Sequence, residues 1–316
     1  MTGHPKAAVC VLGTGLIGGS VLRAAAAAGY RAWGFNRSEA GASAARADGY
    51  DVISDVEAVL RRAAESDALI VLAVPMPALD TVLSDVKSFA PGCALTDVVS
   101  VKAPVRTAVH RHELGARFVG GHPMAGTNES GWAATDPDLF KQAAWAVSVD
   151  PDTHAETWSR VARLALDCGA VVVPVVSEEH DKAVARISHL PHVLAEALAI
   201  QGNNGGPLAL GLAAGSFRDG TRVAATAPDL VRAICEPNAA ALLEVLEDTL
   251  RVLNDARDSL RDRGEIAQLV EAGHDGRVEY DDNQRWAITD IRPGDQDWLA
   301  RLADAGRRGG VLEALG

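Results

Sequence analysis

The sequence predicts an α/β domain, a parallel sheet covered by helices, followed by an all-helical domain. Three observations predict it. From residue 7 to about 174, short β-branched runs alternate with Ala-rich amphipathic stretches, the order that lays parallel strands under crossover helices. A Gly-x-Gly-x-x-Gly motif joins the first such run to the first amphipathic stretch. Beyond Pro174 the β runs vanish and long helical patterns take over.

Taken in order, the strands are expected at 7–12, 31–35, 68–74, 93–96, 117–119, 144–149 and 170–173, each a short apolar run bounded by polar or Gly-containing turns. Between them, 16–28, 38–47, 56–64, 76–86, 101–112 and 154–167 carry the helical spacing of apolar residues. The second block gives helices at 178–201, 207–214, 228–236 and 239–260. In the last of these, Leu242, Leu246, Thr249, Leu253, Ala256 and Leu260 recur at alternating spacings of four and three, a mostly apolar stripe that needs a partner helix from the same chain or a second subunit. The expected division is 1–174, 175–278 and a tail, 279–316, whose Trp286, Ile291 and Trp298 point to packing against a core.

Composition narrows the function classes. The 316 residues carry Lys+Arg 30 against Asp+Glu 42, a net charge of −12, so no global positive field draws phosphate backbones or anionic lipid. Nucleic acid and membrane are therefore not expected as partners, and no apolar run reaches the roughly 18 residues of a membrane span. The apolar start 7–12 is cut by Gly13-Thr14-Gly15 too early for a secretory signal. Cys10, Cys93, Cys168 and Cys235 lie far apart in sequence and match no metal or redox spacing, so small buried hydrophobes in a reduced, cytoplasmic chain are expected, with no metal site.

The glycine motif runs Gly13-Thr14-Gly15-Leu16-Ile17-Gly18, directly after a strand and at the mouth of a helix. Gly13 permits the tight turn, Gly15 lets backbone approach a pyrophosphate and Gly18 lets helix and strand pack closely. The anion then sits on unpaired N–H groups where the helix dipole favours negative charge. This is the fingerprint of a Rossmann-type dinucleotide-binding domain. At the end of the second strand, where an acid normally pairs with the ribose 2′-hydroxyl, stands Asn36-Arg37-Ser38. Arg37 can pair with a 2′-phosphate while Asn36 and Ser38 supply neutral hydrogen bonds, which favours NADP; the alternative is a solvated arginine beside a helix cap, with NAD as cofactor. Val74 and Pro75 end a buried strand on the same crevice and are expected along the cofactor.

Two further segments carry chemistry. Ser100, in Thr96–Lys102, stands near a helix start in that crevice, as a site residue or a helix cap. His122, in Gly120–Thr127, is flanked by glycines and Pro123 at a strand end, a poor place for packing and a good one for a general base whose imidazole titrates near neutrality.

Six ordered blocks, Val9–Gly18, Thr96–Lys102, Gly121–Gly131, His180-Asp181, Ser188–His192 and Gly215–Arg222, together resemble the prephenate/arogenate dehydrogenases of tyrosine biosynthesis. The glycine motif is shared with many dehydrogenases; the His-Pro-Met-Ala-Gly-Thr, Ser-His-Leu-Pro-His and Arg-Asp-x-Thr-Arg blocks are specific. The resemblance implies a nucleotide-binding domain, a helical dimerisation domain that makes a homodimer, and oxidative decarboxylation of prephenate or, alternatively, arogenate with hydride transfer to NADP or NAD. It implies that His122 is the catalytic histidine and Ser100 lies near the reacting hydroxyl. It implies that Arg222 pairs with a substrate carboxylate, and that His192, Thr127 and Asp181 lie on the substrate side. Arg218 is either a second clamp or a surface group, His189 a core histidine or a contact, and His180, next to Asp181, likewise a contact or half of an ordinary helix-surface pair. Asn128, where many members carry Glu, leans towards the keto acid. No appended regulatory domain is expected. The competing readings are a reductase of another kind with a helical second domain, in which the His122 block has no role, and a non-catalytic protein that senses the nucleotide.

Overall fold

The computed structural model describes residues 7–127 and 129–315. The chain folds as two compact units, 1–180 with 286–316, and 181–285. The first unit opens with β1 (Ala8–Leu12), α1 (Leu16–Ala27), β2 (Arg31–Phe35), α2 (Glu39–Ala47), β3 (Val52–Ile53), α3 (Val56–Glu65), β4 (Leu69–Leu72), α4 (Met76–Phe89), β5 (Leu95–Asp97), α5 (Ala103–Arg111) and β6 (Phe118–Val119). These strands form a six-stranded parallel sheet in the order β3-β2-β1-β4-β5-β6. Every residue of β1 and β4 is buried, as strands covered on both faces must be. Ser38 caps α2 and Asp55 caps α3, each side chain accepting from a backbone N–H inside the first turn. The strand order reverses between β1 and β4, which opens a crevice at their carboxyl ends.

The expectation of one parallel sheet through residue 174 needs correction. After β6 the chain passes at Gly120 into β7 (Gly121–Pro123), which pairs antiparallel with β8 (Ala144–Ser148); α6 (Ala155–Asp167) then leads to β9 (Val171–Val175), parallel to β8. These three strands form a separate sheet. The switch is fixed by hydrogen bonds at Gly120, whose N–H donates to Ser148 Oγ (2.8 Å) and whose carbonyl accepts from Ser148 N (2.9 Å). A Cβ on Gly120 would stand 3.2 Å from both Lys102 Cδ and Ser148 Oγ, so glycine suits the close approach.

The helix α7 (Ser177–Val184) crosses the division at residue 180, six residues beyond the expected 174. The single helix expected at 178–201 is instead α7, a π-helical turn (Ala185–His189) and α8 (Leu190–Asn204). Pro191 supplies the reason: it has no N–H to donate, and its ring crowds the carbonyl four residues back, so the preceding turn widens. The second unit continues with α9 (Gly206–Leu212), α10 (Gly215–Thr221), α11 (Pro228–Cys235), α12 (Ala239–Arg263) and α13 (Ala267–Asp282), of which α10 and α13 were not expected.

The tail returns to the first unit as β10 (Trp286–Ala287), α14 (Trp298–Arg307) and β11 (Gly310–Val311). Trp298 meets Trp158 edge to face at 5.8 Å, and Leu312 bridges Val172 of β9 through two backbone hydrogen bonds. All four cysteines are buried free thiols. No helix of the described residues is long and apolar enough to cross a membrane.

Candidate active site

The glycine turn follows the carboxyl end of β1. Gly13 has φ +101° and donates to Phe35 O (2.9 Å); a Cβ there would collide with the Ala73 carbonyl and crowd Val74, which places Val74 against the turn. A Cβ on Gly18 would strike the Gly13 carbonyl and the Ala73 side chain. Gly15 differs: nothing lies within 4 Å of its Cβ position. It is the N-cap of α1, and no side chain caps that helix and no acid stands in its first turn. The N–H groups of Gly15, Leu16 and Ile17, with no side-chain cap, therefore stand at the positive end of a helix dipole, a seat that fits a dinucleotide pyrophosphate.

The segment after β2 is engaged largely in its own structure. The Asn36 amide donates to Thr14 Oγ1 (2.8 Å) and its Oδ1 accepts from Ser38 N (2.9 Å), while Ser38 Oγ caps α2. Thr14 is buried. Of the three residues expected to meet the adenosine ribose, Asn36 and Ser38 are thus occupied by their neighbours. Arg37 is exposed and makes no hydrogen bond or ion pair among the described residues. Pro75 is the exposed N-cap of α4, beside Val74.

Beyond β4, the carboxyl end of β5 carries a pair that lies within the Thr96–Lys102 block but was not singled out there. Asp97 and Lys102, both fully buried, form an ion pair; Lys102 Nζ also donates to Gly121 O (2.6 Å), and Asp97 Oδ1 accepts from Gly121 N (3.1 Å). Burial pushes the Asp97 carboxyl up, opposed by the Lys102 ammonium and by the N–H groups of Gly121 and Val99. The two side chains grip both polar groups of the residue before His122. A lysine five residues after a buried strand's aspartate was the available signal, because neither charge is tolerated in an interior without the other.

His122 is half-buried on β7, opposite Ala146. Its Nδ1 lies 2.9 Å from His180 Nε2. His180 is 3 % exposed, so of its two readings the helix-surface pair does not hold, and it is an interior partner of His122. Ser100 is half-buried in the turn between β5 and α5, which begins at Ala103 rather than at 101. Thr127 is exposed, its Oγ1 accepting from Glu129 N (3.2 Å), and Asn128 lies outside the described residues. The first unit thus brings Gly13–Gly18, Val74 and Ser100 to the carboxyl edge of the parallel sheet, and the bond from Gly121 N to Asp97 sets His122, on the second sheet, beside the end of β5.

In the second unit Asp181 is buried, with its carbonyl accepting from Asn238 Nδ2 (2.8 Å). The same amide lies 3.1 Å from His189 Nδ1, and His189 is a core histidine. His192, on α8, has a buried Nδ1 with no hydrogen-bond partner among the described residues. Arg222, after α10, and Arg218 within it are exposed and form no ion pair among the described residues. Among those residues no group of three or more His, Cys, Asp or Glu side chains is arranged to hold a metal.

An open helix N-terminus after a glycine turn, with a half-buried histidine beside the end of β5, is the arrangement of a dehydrogenase that works with a nicotinamide dinucleotide. Residues 24–174 match the prephenate dehydrogenase nucleotide-binding domain and 176–272 the prephenate dehydrogenase dimerization domain. The chain is 31% identical to a prephenate dehydrogenase of Bacillus subtilis over 264 residues, 80% of this chain and 70% of that one. It is 32% identical to a cyclohexadienyl dehydrogenase of Zymomonas mobilis over 265 residues, 80% of this chain and 88% of that one. A crystal structure from Corynebacterium glutamicum, assigned as a prephenate dehydrogenase, superposes with a TM-score of 0.94 at 47% identity, covering 98% of this chain and 99% of that one. The chain belongs to the prephenate dehydrogenase family and is an NAD(P)-dependent oxidoreductase.

Proposed function

We propose that this chain oxidatively decarboxylates prephenate to 4-hydroxyphenylpyruvate, with NADP as the preferred hydride acceptor. The observation that carries the reading is His122, set on a strand anchored to the end of β5, in the same unit as the glycine turn. When bound, the oxidised dinucleotide accepts hydride from the ring carbon that bears the hydroxyl. His122 takes the hydroxyl proton as that hydride leaves, and Ser100 orients the hydroxyl. Electrons then drain from the ring carboxylate, carbon dioxide departs, and His122 returns its proton to the oxygen of the new aromatic ring. Aromatisation drives the sequence, so the protein supplies positioning, one base and a cationic clamp.

Arg222 suits that clamp because its planar fork meets both oxygens of a carboxylate, and no acid neutralises it among the described residues. His192, whose Nδ1 has no hydrogen-bond partner among the described residues, Thr127 and Asp181 complete the substrate side. The preference for NADP rests on Arg37, a cation with no ion pair among the described residues, where NAD enzymes carry an acid. Asn128, a neutral residue where the resemblance leads one to expect Glu, favours the keto acid over the ammonium-bearing arogenate. We also infer that the nucleotide-binding domain takes in the tail, and that two copies pair through the helical unit, supported by the match to a dimerization domain. Four free buried thiols fit work in the reducing cytoplasm.

The test is absorbance at 340 nm with prephenate or arogenate and each oxidised cofactor. Prephenate with NADP gives the highest kcat/KM. A preference for arogenate or for NAD removes that part of the reading, and no signal in any combination leaves a nucleotide-binding protein without chemistry.

A further inference from the structure

A base at His122 needs a lone pair on one ring nitrogen, and the partner on the other nitrogen decides which. His122 Nδ1 and His180 Nε2 are 2.9 Å apart, the rings edge to face with centroids at 5.1 Å and planes at 72°. Both rings stand on anchored backbone. Gly121, next to His122, is gripped by Asp97 and Lys102. The turn carrying His180 is pinned where Ser177 donates from both its N–H (3.0 Å) and its hydroxyl (2.7 Å) to the Asp150 carboxylate, and His180 N donates to Val176 O (2.9 Å).

One hydrogen lies between the two nitrogens, so one ring donates and the other accepts. If His180 donates, His122 Nδ1 accepts, its own hydrogen sits on Nε2, and that nitrogen cannot take a proton. If His122 donates, its Nε2 carries the lone pair.

We propose that His180 is a positioning residue: its Nε2 accepts from His122 Nδ1–H and so holds His122 in the tautomer whose Nε2 is the base. This rests on His122 being the base of the proposed reaction. His180 keeps its own hydrogen on Nδ1. When His122 Nε2 takes the substrate hydroxyl proton and the hydride passes to the oxidised nicotinamide, the bond to His180 becomes charge-assisted, which stabilises the imidazolium. After carbon dioxide leaves, the proton goes back to the phenolic oxygen, and the pair ends as it began.

Two measurements test this. Nitrogen-15 spectra of histidine-labelled enzyme, with the His122 signals assigned by their loss in His122→Asn, show hydrogen on Nδ1 and none on Nε2. In steady state His180→Phe loses roughly 10–100-fold in kcat with the substrate KM little changed, and His180→Gln, whose amide oxygen can accept from Nδ1–H, recovers most of the loss. Hydrogen on Nε2 in the wild-type spectrum, or an unchanged kcat in His180→Phe, overturns the assignment. The spectrum decides even where His180→Phe does not fold. Wild-type turnover in His122→Asn is a different failure, removing the base itself and this inference with it, whereas an inactive His122→Asn beside the wrong tautomer removes only the role of His180.

Discussion

At His122 one substitution separates chemistry from binding. His122→Asn keeps a polar group of similar reach on β7 but removes the proton acceptor. Turnover falls by about 10²–10⁴-fold while the dissociation constant of the dinucleotide, measured by fluorescence titration, stays within about twofold. Loss of dinucleotide affinity in step with turnover would mean that the residue supports the fold instead. Single residues were unevenly legible. The glycines and His122 were readable because each stands in a setting that ordinary packing does not explain. His180 was not, because a histidine within a helical pattern has no local mark of facing inward. That only emerges once Ser177 and Asp150 fix the first turn of α7.

Elements make their own predictions. The turn from β1 to α1 assigns its glycines different tasks, so Gly15→Ala leaves the melting temperature unchanged and weakens the dinucleotide by at least about tenfold, near 1.4 kcal/mol. Gly18→Ala instead forces a Cβ into the Gly13 carbonyl and destabilises the protein by about 1–3 kcal/mol. Thermal melts with and without dinucleotide distinguish the two.

The segment following the His122 loop is clipped to α1 and α2 by Arg23, which stacks on Trp132 (4.3 Å) and Tyr50 (4.9 Å) and, with the Trp132 indole N–H, donates to Asp48. Hydrogen bonds from Trp132 and Arg23 hold the Asp48 carboxyl below its ordinary 3.8. The unfolded chain therefore takes up this proton first as the pH falls, so the clip's contribution is full above about pH 4 and lost as pH drops through the depressed folded value. Asp48→Asn flattens that part of the acid limb in melts recorded from pH 5 to 2; an identical limb in the variant would detach the clip from acid stability.

Most strands and helices were legible to within a few residues because apolar runs and amphipathic spacing directly record burial. The exceptions have local causes. β7 is too short to show alternation and is a strand only because Gly120 and Ser148 bring it against β8. The π turn follows from a proline inside a helical pattern, and α13 has a weak apolar face that no periodicity reveals.

For the molecule as a whole, the helical unit carries exposed apolar side chains. Val245 is buried, while Leu250, Val252, Leu253 and Leu260 on the same helix are about half exposed. The stripe is therefore only half covered, in part by α13, and the exposed half is the part a second copy could take. Leu253→Glu with Leu260→Glu shifts the protein from dimer to monomer in sedimentation velocity if two copies pair here. A dimer that survives both changes places the contact elsewhere. The two-domain plan was legible from the loss of β runs after Pro174, but the destination of the tail was not, because Trp298 marks packing without naming the surface it packs on, and Trp286, expected to pack, is 39% exposed.

That destination constrains how the protein is made. Because α14 and β11 pack on β9 and α6, the nucleotide-binding unit leaves the ribosome unfinished and must wait while all of residues 181–285 are translated. Until the closing segment arrives, the backbone of Val172 and the indole of Trp158 lack their covers. Nascent chains stalled near residue 285 would then be open to proteases at β9 and become resistant only after the last thirty or so residues emerge.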